Sequence, residues 1–191
     1  LKYGIPNTPE TVFQFASNSK QFTAFAVLLL EEDGLLSTQD EVQMYIPEFP
    51  DFGYPITLQN LLDHTSGLRD HLELMAFAGW NFLEDLITVQ HGLNFVKRMT
   101  ALNFPPGDQF MYSNTGFMLL AEIVARVSGK TFAEFTRERI FTPLGMTHSL
   151  FKDNNRLIVK NYADAYFTIP EGDTFLYPEN FASVGEAGLH S

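Results

Sequence analysis

The sequence predicts an α+β fold in which helices come first and short strands follow. Three observations carry that expectation. Apolar residues recur at helical spacing in several segments between Phe22 and Ile140. Most of those segments carry their own start or stop signals, a Ser or Thr ahead or a Gly behind. From residue 156 onward the pattern changes: Tyr162, Tyr166, Phe167, Phe175 and Tyr177 are scattered among Gly and Pro, which reads as loops and short strands.

Residues 1–12 contain Pro6, Pro9 and several turn formers, and read as a loop leading to the short Val12–Phe15 segment. The first helix then runs from Ser17 to Glu32. Phe22, Phe25, Ala26, Leu29 and Leu30 mark one face, and Ala24, Val27 and Leu28 fill most of the remaining circumference, so a helix buried nearly all round is expected. Gly34 follows as a left-handed C-terminal stop. Ser17 falls in or just before the first turn, where unpaired N–H groups and the positive end of the helix dipole favour developing negative charge. Lys20, three residues on, shares its face. A buried amine beside a hydroxyl can activate a serine, because burial favours the neutral, proton-accepting amine. N-capping is the competing role for Ser17. Ser-x-x-Lys is a weak signal alone, and it recurs at Ser149–Lys152. There it lies between Pro143-Leu144-Gly145-Met146 and the polar Asp153-Asn154-Asn155, with no apolar helix behind it.

Ser37–Asp40 reads as a second helix start ahead of Val42, Tyr45 and Ile46, broken by Pro47 and Pro50. Thr57 can cap a short helix carrying Leu58, Leu61 and Leu62, which runs into His64-Thr65-Ser66-Gly67-Leu68. Ser66 close to His64, with Asp63 and Asp70 near, invites a triad. Sequence neighbours rarely point at one another, however, and the Gly-x-Ser-x-Gly elbow is absent, so the turn reading is preferred. Residues 72–101 read as helical, with Trp80, Phe82, Leu83, Leu86, Ile87, Leu93, Val96 and Met99 facing the core and His91 at a surface or helix end. Pro105-Pro106-Gly107 forces a turn ahead of Tyr112-Ser113-Asn114, the one Tyr-x-Asn of the chain, on a loop before the helix of Met118, Leu119, Ile123 and Val127. Polar chemistry suits such a place, as does a capping Asn with a packed Tyr. That helix ends at Ser128-Gly129, and Thr131 with Glu134 forms a capping box for the next, whose buried face is Phe132, Phe135 and Ile140.

Twenty-three acidic residues against 12 basic ones give a formal charge of −11, which argues against nucleic acid and against an anionic membrane surface as partners. No charge-free run of about 18 apolar residues suggests a membrane span, and no leader is visible. The absence of Cys excludes disulfides and thiol chemistry. The five His, at 64, 71, 91, 148 and 190, make no i, i+4 pair and no His-Glu-x-x-His, and no glycine-rich phosphate loop exists, so neither metal nor cofactor is expected. The chain starts at Leu1 and stops at Ser191, which suggests part of a longer protein.

Five segments occurring in order together resemble the penicillin-recognising serine hydrolases, in particular the branch of class C β-lactamases, DD-peptidases, D-aminopeptidases and related esterases. They are Phe15-Ala16-Ser17-Asn18-Ser19-Lys20, Leu61 to Leu68, Pro106-Gly107 leading to Tyr112-Ser113-Asn114, Pro143-Leu144-Gly145-Met146, and Ala187-Gly188-Leu189-His190-Ser191. The resemblance implies a helical domain beside an antiparallel sheet with flanking helices. Residues 1–33 would open the α/β domain with the nucleophile helix, 34–150 would form the mostly helical domain, and 151–191 would return toward the α/β domain. It also implies Ser17 as the acyl-accepting nucleophile and Lys20 with Tyr112 in the proton traffic. Asn114 would bind the substrate amide while ordering the lysine, and the Ser17 N–H would be one oxyanion donor. A charged Lys20 would favour loss of the Tyr112 proton, whereas a neutral Lys20 could be the base itself; the pair is coupled and the sequence does not apportion the proton.

The implied substrate is a small molecule or peptide bearing an amide, β-lactam or ester, met in the periplasm or outside the cell. The alternative is a non-catalytic relative, a sensor, binder or scaffold. The family's third motif, Lys-Thr-Gly or His-x-Gly on a later strand, is not present in the sequence. That strand would supply the second oxyanion donor and cover the serine helix. The 191 residues are therefore expected not to be a self-sufficient enzyme, with Phe22, Phe25 and Leu29 needing a partner.

Overall fold

The computed structural model describes residues 3–191; Leu1 and Lys2, the start of the expected N-terminal loop, lie outside the described residues. The six α-helices of the described residues are α1 (Lys20–Glu32), α2 (Leu58–Leu62), α3 (His71–Phe77), α4 (Val89–Val96), α5 (Asn114–Ser128) and α6 (Phe132–Thr136). The strands are short: β1 (Ile87–Thr88), β2 (Leu150–Phe151), β3 (Tyr166–Thr168), β4 (Thr174–Leu176), β5 (Phe181–Ala182) and β6 (Leu189–His190). They pair as a parallel β1–β5 and antiparallel β2–β6 and β3–β4.

One apolar cluster is built around α5, whose Met118, Leu119, Leu120, Ile123 and Val124 are completely or almost completely buried. Ala26, Val27 and Leu30 of α1, Leu58 and Leu61 of α2, Leu93 and Val96 of α4, and Phe132 and Phe135 of α6 close on it. The stop and start signals fall where the residues predict them. Gly34 and Gly129 take the left-handed conformation behind α1 and α5, with φ of 71° and 68°. Thr57 with Asn60 and Thr131 with Glu134 both form reciprocal capping boxes.

Three expectations are corrected. The segment 72–101 is not continuously helical, because Asn81 and Asp85 tie each other's backbone into a turn and Thr88 caps a new helix through the His91 N–H. Trp80 consequently packs on His91 and Phe95 instead of entering the main core. After Ser37 only a short 3-10 turn forms at Val42–Met44, since the Asp40 carboxylate is engaged by the Ser37 N–H and the Tyr45 hydroxyl. In α1, Phe22 is covered by the Phe141 ring at 5.4 Å, but Phe25 and Leu28 are 43% and 48% exposed. The described residues cover the α5 side of this helix and leave the opposite side open.

The C-terminal segment fixes the approach to α1. Phe13 and Ser191 exchange two backbone hydrogen bonds of 2.9 and 3.0 Å, and the Phe15 N–H donates to Leu189 O at 2.9 Å. Thr23 Oγ1 on α1 donates to Gly185 O at 2.7 Å, and Ser19 Oγ accepts from the Leu189 N–H at 3.1 Å. Gly185 makes this close approach possible: its φ is 103°, and a Cβ would lie 2.5 Å from both Ala121 Cβ and Phe117 O. Gly172 has a similar φ of 99° but open space around it. Gly185→Ala should therefore lower the unfolding free energy by roughly 1–3 kcal/mol more than Gly172→Ala does. Urea denaturation of the two variants checks this, and equal losses would show that backbone strain alone matters at Gly185.

Candidate active site

Ala16, at φ 43°, bends the chain into the 3-10 turn Ala16–Ser19 that lifts Ser17 to the surface. Neither this turn nor α1 is closed by a side-chain cap, so the Ser17 hydroxyl does not take the capping role. Lys20 opens α1 and is buried, 7% exposed, with its amine turned back toward the serine. Lys20 Nζ donates to Ser17 Oγ at 3.2 Å, to Asn114 Oδ1 at 2.9 Å and to the Glu186 backbone oxygen at 2.7 Å. Those three acceptors match the three N–H bonds of an ammonium. Tyr112 Oη lies 2.7 Å from Ser17 Oγ on the other side, and Lys20 Nζ sits 4.8 Å from the Tyr112 ring centre. All four residues picked from the sequence thus meet in one cluster. The second Ser-x-x-Lys does not close in this way: Ser149 Oγ bonds Ser191 Oγ, and Lys152 pairs with Glu179 at 2.6 Å.

Asn114 is the first residue of α5, and its orientation is set by Asp70. The Asn114 backbone N–H and Nδ2 donate to Asp70 Oδ2 at 2.6 and 2.9 Å, which leaves Oδ1 for the lysine. Asp70 Oδ1 accepts from the N–H groups of Leu72 and Glu73, capping α3. One carboxylate therefore joins the starts of two helices and aims the amide. The sequence places Asp70 only among the neighbours of a triad that does not form; its position one residue before a helix start was the available signal. Ser66 is a turn residue, its hydroxyl accepting from the Leu68 N–H at 3.3 Å.

His64 has a different part from the one the triad reading would give it. At φ 58° it turns its ring under the Tyr112 loop, where Nδ1 accepts from the Ser113 N–H at 3.1 Å. The ring lies 4.6 Å from that of Tyr112 and 5.0 Å from that of Phe117. Burial first, and then the charge of Lys20, push its pKa down, which keeps Nδ1 a neutral acceptor.

Below Lys20 lie His71 and Glu186, both almost fully buried, with His71 Nε2 3.7 Å from Glu186 Oε1. Burial raises the Glu186 carboxyl to about 8 and lowers the His71 imidazole to about 4. Beside Ser17 a cavity of about 400 Å³ opens, lined on its apolar side by Leu72, Phe82, Ile87, Tyr177 and Phe181. Among the described residues no group of three or more His, Asp or Glu could hold a metal ion.

The Beta-lactamase family model matches residues 1–190. The chain belongs to that family. Penicillin-binding protein 4* of Bacillus subtilis (strain 168) is 36% identical over 179 residues, covering 91% of this chain and 38% of its own length. The octameric penicillin-binding protein homologue from Pyrococcus abyssi superposes with a TM-score of 0.83 at 32% identity, over 98% of this chain and 43% of that one. The D-amino acid amidase from Ochrobactrum anthropi SV3, solved with L-phenylalanine amide, does so with a TM-score of 0.82 at 27% identity, over 100% of this chain and 54% of that one. The α+β, β-lactamase/DD-peptidase-like fold implied by the five segments is thus the fold found. The chain spans about two fifths of the length of the curated relative.

The buried pair gives this beta-lactamase-family chain a specific pH dependence of stability. Between the ordinary carboxyl value of 4.5 and the ordinary imidazole value of 6.5, the unfolded chain holds one proton on the imidazole and the folded chain holds one on Glu186. The pair's contribution is flat there. From 6.5 to about 8 the folded protein keeps a proton that the unfolded chain has released, so stability falls as pH rises through that window. Below 4.5 the unfolded chain takes up a second proton, and stability falls as pH drops toward about 4. Glu186→Gln should abolish the alkaline decline. Urea denaturation at pH 6 and pH 8 checks it, and an equal decline in both proteins would exclude Glu186 as its source.

Proposed function

We propose that the chain carries the nucleophile side of a serine hydrolase site that works through an acyl-enzyme on an amide, β-lactam or ester. The observation that carries the reading is the Ser17 hydroxyl held between Lys20 Nζ at 3.2 Å and Tyr112 Oη at 2.7 Å. With all three Lys20 hydrogens assigned to acceptors, the serine's own hydrogen has Tyr112 Oη as its nearest acceptor. This arrangement favours a Tyr112 phenolate, its own proton given up to solvent and its charge steadied by Lys20, as the base that takes the serine proton and becomes the neutral phenol. After attack, the same tyrosine returns the proton to the leaving group. Asn114 keeps its Nδ2 on Asp70 and its Oδ1 on Lys20, so in this role it orders the lysine first and meets the substrate amide second. The Ser17 N–H, in the 3-10 turn, would be one oxyanion donor. The apolar wall of Leu72, Phe82, Ile87 and Phe181 beside Ser17 suits a substrate with an apolar or aromatic side chain, and the amidase neighbour was solved with such an amide.

A fluorophosphonate or fluorescent penicillin added to the full-length protein should modify Ser17, located by mass spectrometry of the labelled peptide. An adduct on Ser66 or Ser149 would sink the assignment. Lys20→Ala and Tyr112→Phe should each slow labelling by roughly 10² to 10⁴, and the double variant should lose far less than the product of the two. Multiplicative losses, read from stopped-flow labelling rates, would mean that the two side chains do not share a proton path.

A further inference from the structure

Glu186 touches the site in two ways, through its backbone oxygen and through its side chain. Its backbone oxygen accepts from Lys20, but its side chain is directed into the protein, with 1% of the residue exposed. Among the described residues Glu186 Oε1, Glu186 Oε2 and His71 Nε2 are buried side-chain atoms without a well-formed hydrogen bond, and the Ser183 hydroxyl beside the carboxyl favours its charged form against the larger effect of burial. Unpaired buried polar atoms are costly, and several in contact within one place call for a function.

The hydrogen bonds around His71 are best met by one tautomer, assigned from the network. Thr115 Oγ1 has one hydrogen, and it goes to Arg69 O at 2.8 Å. Thr115 Oγ1 also accepts from the His71 backbone N–H at 2.8 Å, so the His71 Nδ1 contact at 3.2 Å requires the ring hydrogen on Nδ1. Nε2 of neutral His71 is then a bare lone pair, facing Glu186 Oε1 at 3.7 Å. Two lone pairs facing each other in a buried site repel. A single proton between them removes the repulsion whether it rests on the carboxyl or on the imidazole, and either way the pair is neutral overall.

We propose that His71 and Glu186 are positioning residues for Lys20 that hold one shared proton beneath it, so that loss of this proton to solvent places one negative charge under the lysine. The inference rests on the reading of Ser17 and Lys20 given above and adds a regulator to that same site. The charged and titratable groups facing the pair are Lys20 from α1 and Asp70 from the start of α3. Glu186 and Ala187 also line the cavity beside Ser17, so the residue that carries the buried carboxyl borders solvent-accessible space. The raised carboxyl and lowered imidazole described above agree with a pair that is singly protonated between about 4 and about 8. A negative charge arriving there opposes the build-up of further negative charge on the Ser17–Tyr112 side, so acylation slows as the proton leaves.

The test uses the full-length protein and two readouts. Nuclear magnetic resonance of the His71 ring nitrogens and the Lys20 ε-carbon from pH 5 to 10 should find the Nδ1–H tautomer at pH 6. Both signals should step together near pH 8, and E186Q should abolish the step in both. In parallel, the fluorophosphonate labelling rate of Ser17 should fall above pH 8 in the parent. E186Q should extend the plateau, labelling about tenfold faster than the parent at pH 9. An Nε2–H tautomer, a Lys20 signal that ignores the pair, or identical labelling profiles would each overturn the proposal. Should Ser17 resist labelling altogether, the hydrolase reading fails, and the Lys20 resonance still decides whether the pair controls the charge beneath it.

Discussion

An amine removed from water must find an acceptor for each of its hydrogens, and Lys20 finds its three in parts of the chain that are far apart in sequence. Ser17 comes from the turn before α1, Asn114 from the start of α5, and the Glu186 oxygen from the turn ahead of β6. Satisfying this one group therefore fixes how three segments meet. The packing of α1 against α5 brings the first two together, and the Thr23–Gly185 and Ser19–Leu189 hydrogen bonds hold the third. Any shift of one segment leaves a buried N–H unpaired, so the geometry around the serine is tied to the stability of the fold.

The supporting layer follows the same logic. Asp70 joins the starts of α3 and α5 with four N–H groups on one carboxylate, which turns a helix cap into an aiming device for Asn114. His64 accepts from the Ser113 N–H and stacks under Tyr112, although its backbone is held in a strained left-handed conformation. His71 donates to Thr115 and faces Glu186, so the floor of the site is itself ionisable. Ala16 and His64 carry positive φ beside the candidate cluster, and His71 Nε2 and both Glu186 oxygens lie unpaired beneath it, whereas the apolar core around α5 is built of fully buried side chains. The open side of α1, with Phe25 and Leu28 exposed, is the other departure from ordinary burial.

Much of this was legible in the residues. Local chemistry decides caps and stops, so the Thr57 and Thr131 helix starts, the Gly34 and Gly129 stops and the apolar face of α5 could be read directly. The break at residues 78–88 could not be read from periodicity, because Asn81, Asp85 and Thr88 override an apolar spacing that still looks helical. Ser17 and Lys20 were legible because they are one turn apart on one helix. Tyr112 and Asn114 were visible only as a motif, Asp70 only as a residue just before a helix start and His64 only as a neighbour of Ser66, while His71 and Glu186 carried no sequence signal beyond their types.

By itself the sequence determined the caps and stops of several helices, the resemblance to the family, and the serine and lysine that share a face. These depend on neighbours within about one helical turn, where spacing translates directly into geometry. Tertiary structure alone decided that Tyr112 Oη reaches the serine across 95 positions of chain, that Asp70 rather than a triad aspartate holds the site, and that His71 lies against Glu186. Those contacts join segments whose separation in sequence says nothing about their distance in space. They exist because the core around α5 draws the segments together, and because each buried polar group must then be satisfied by whatever that packing brings within reach.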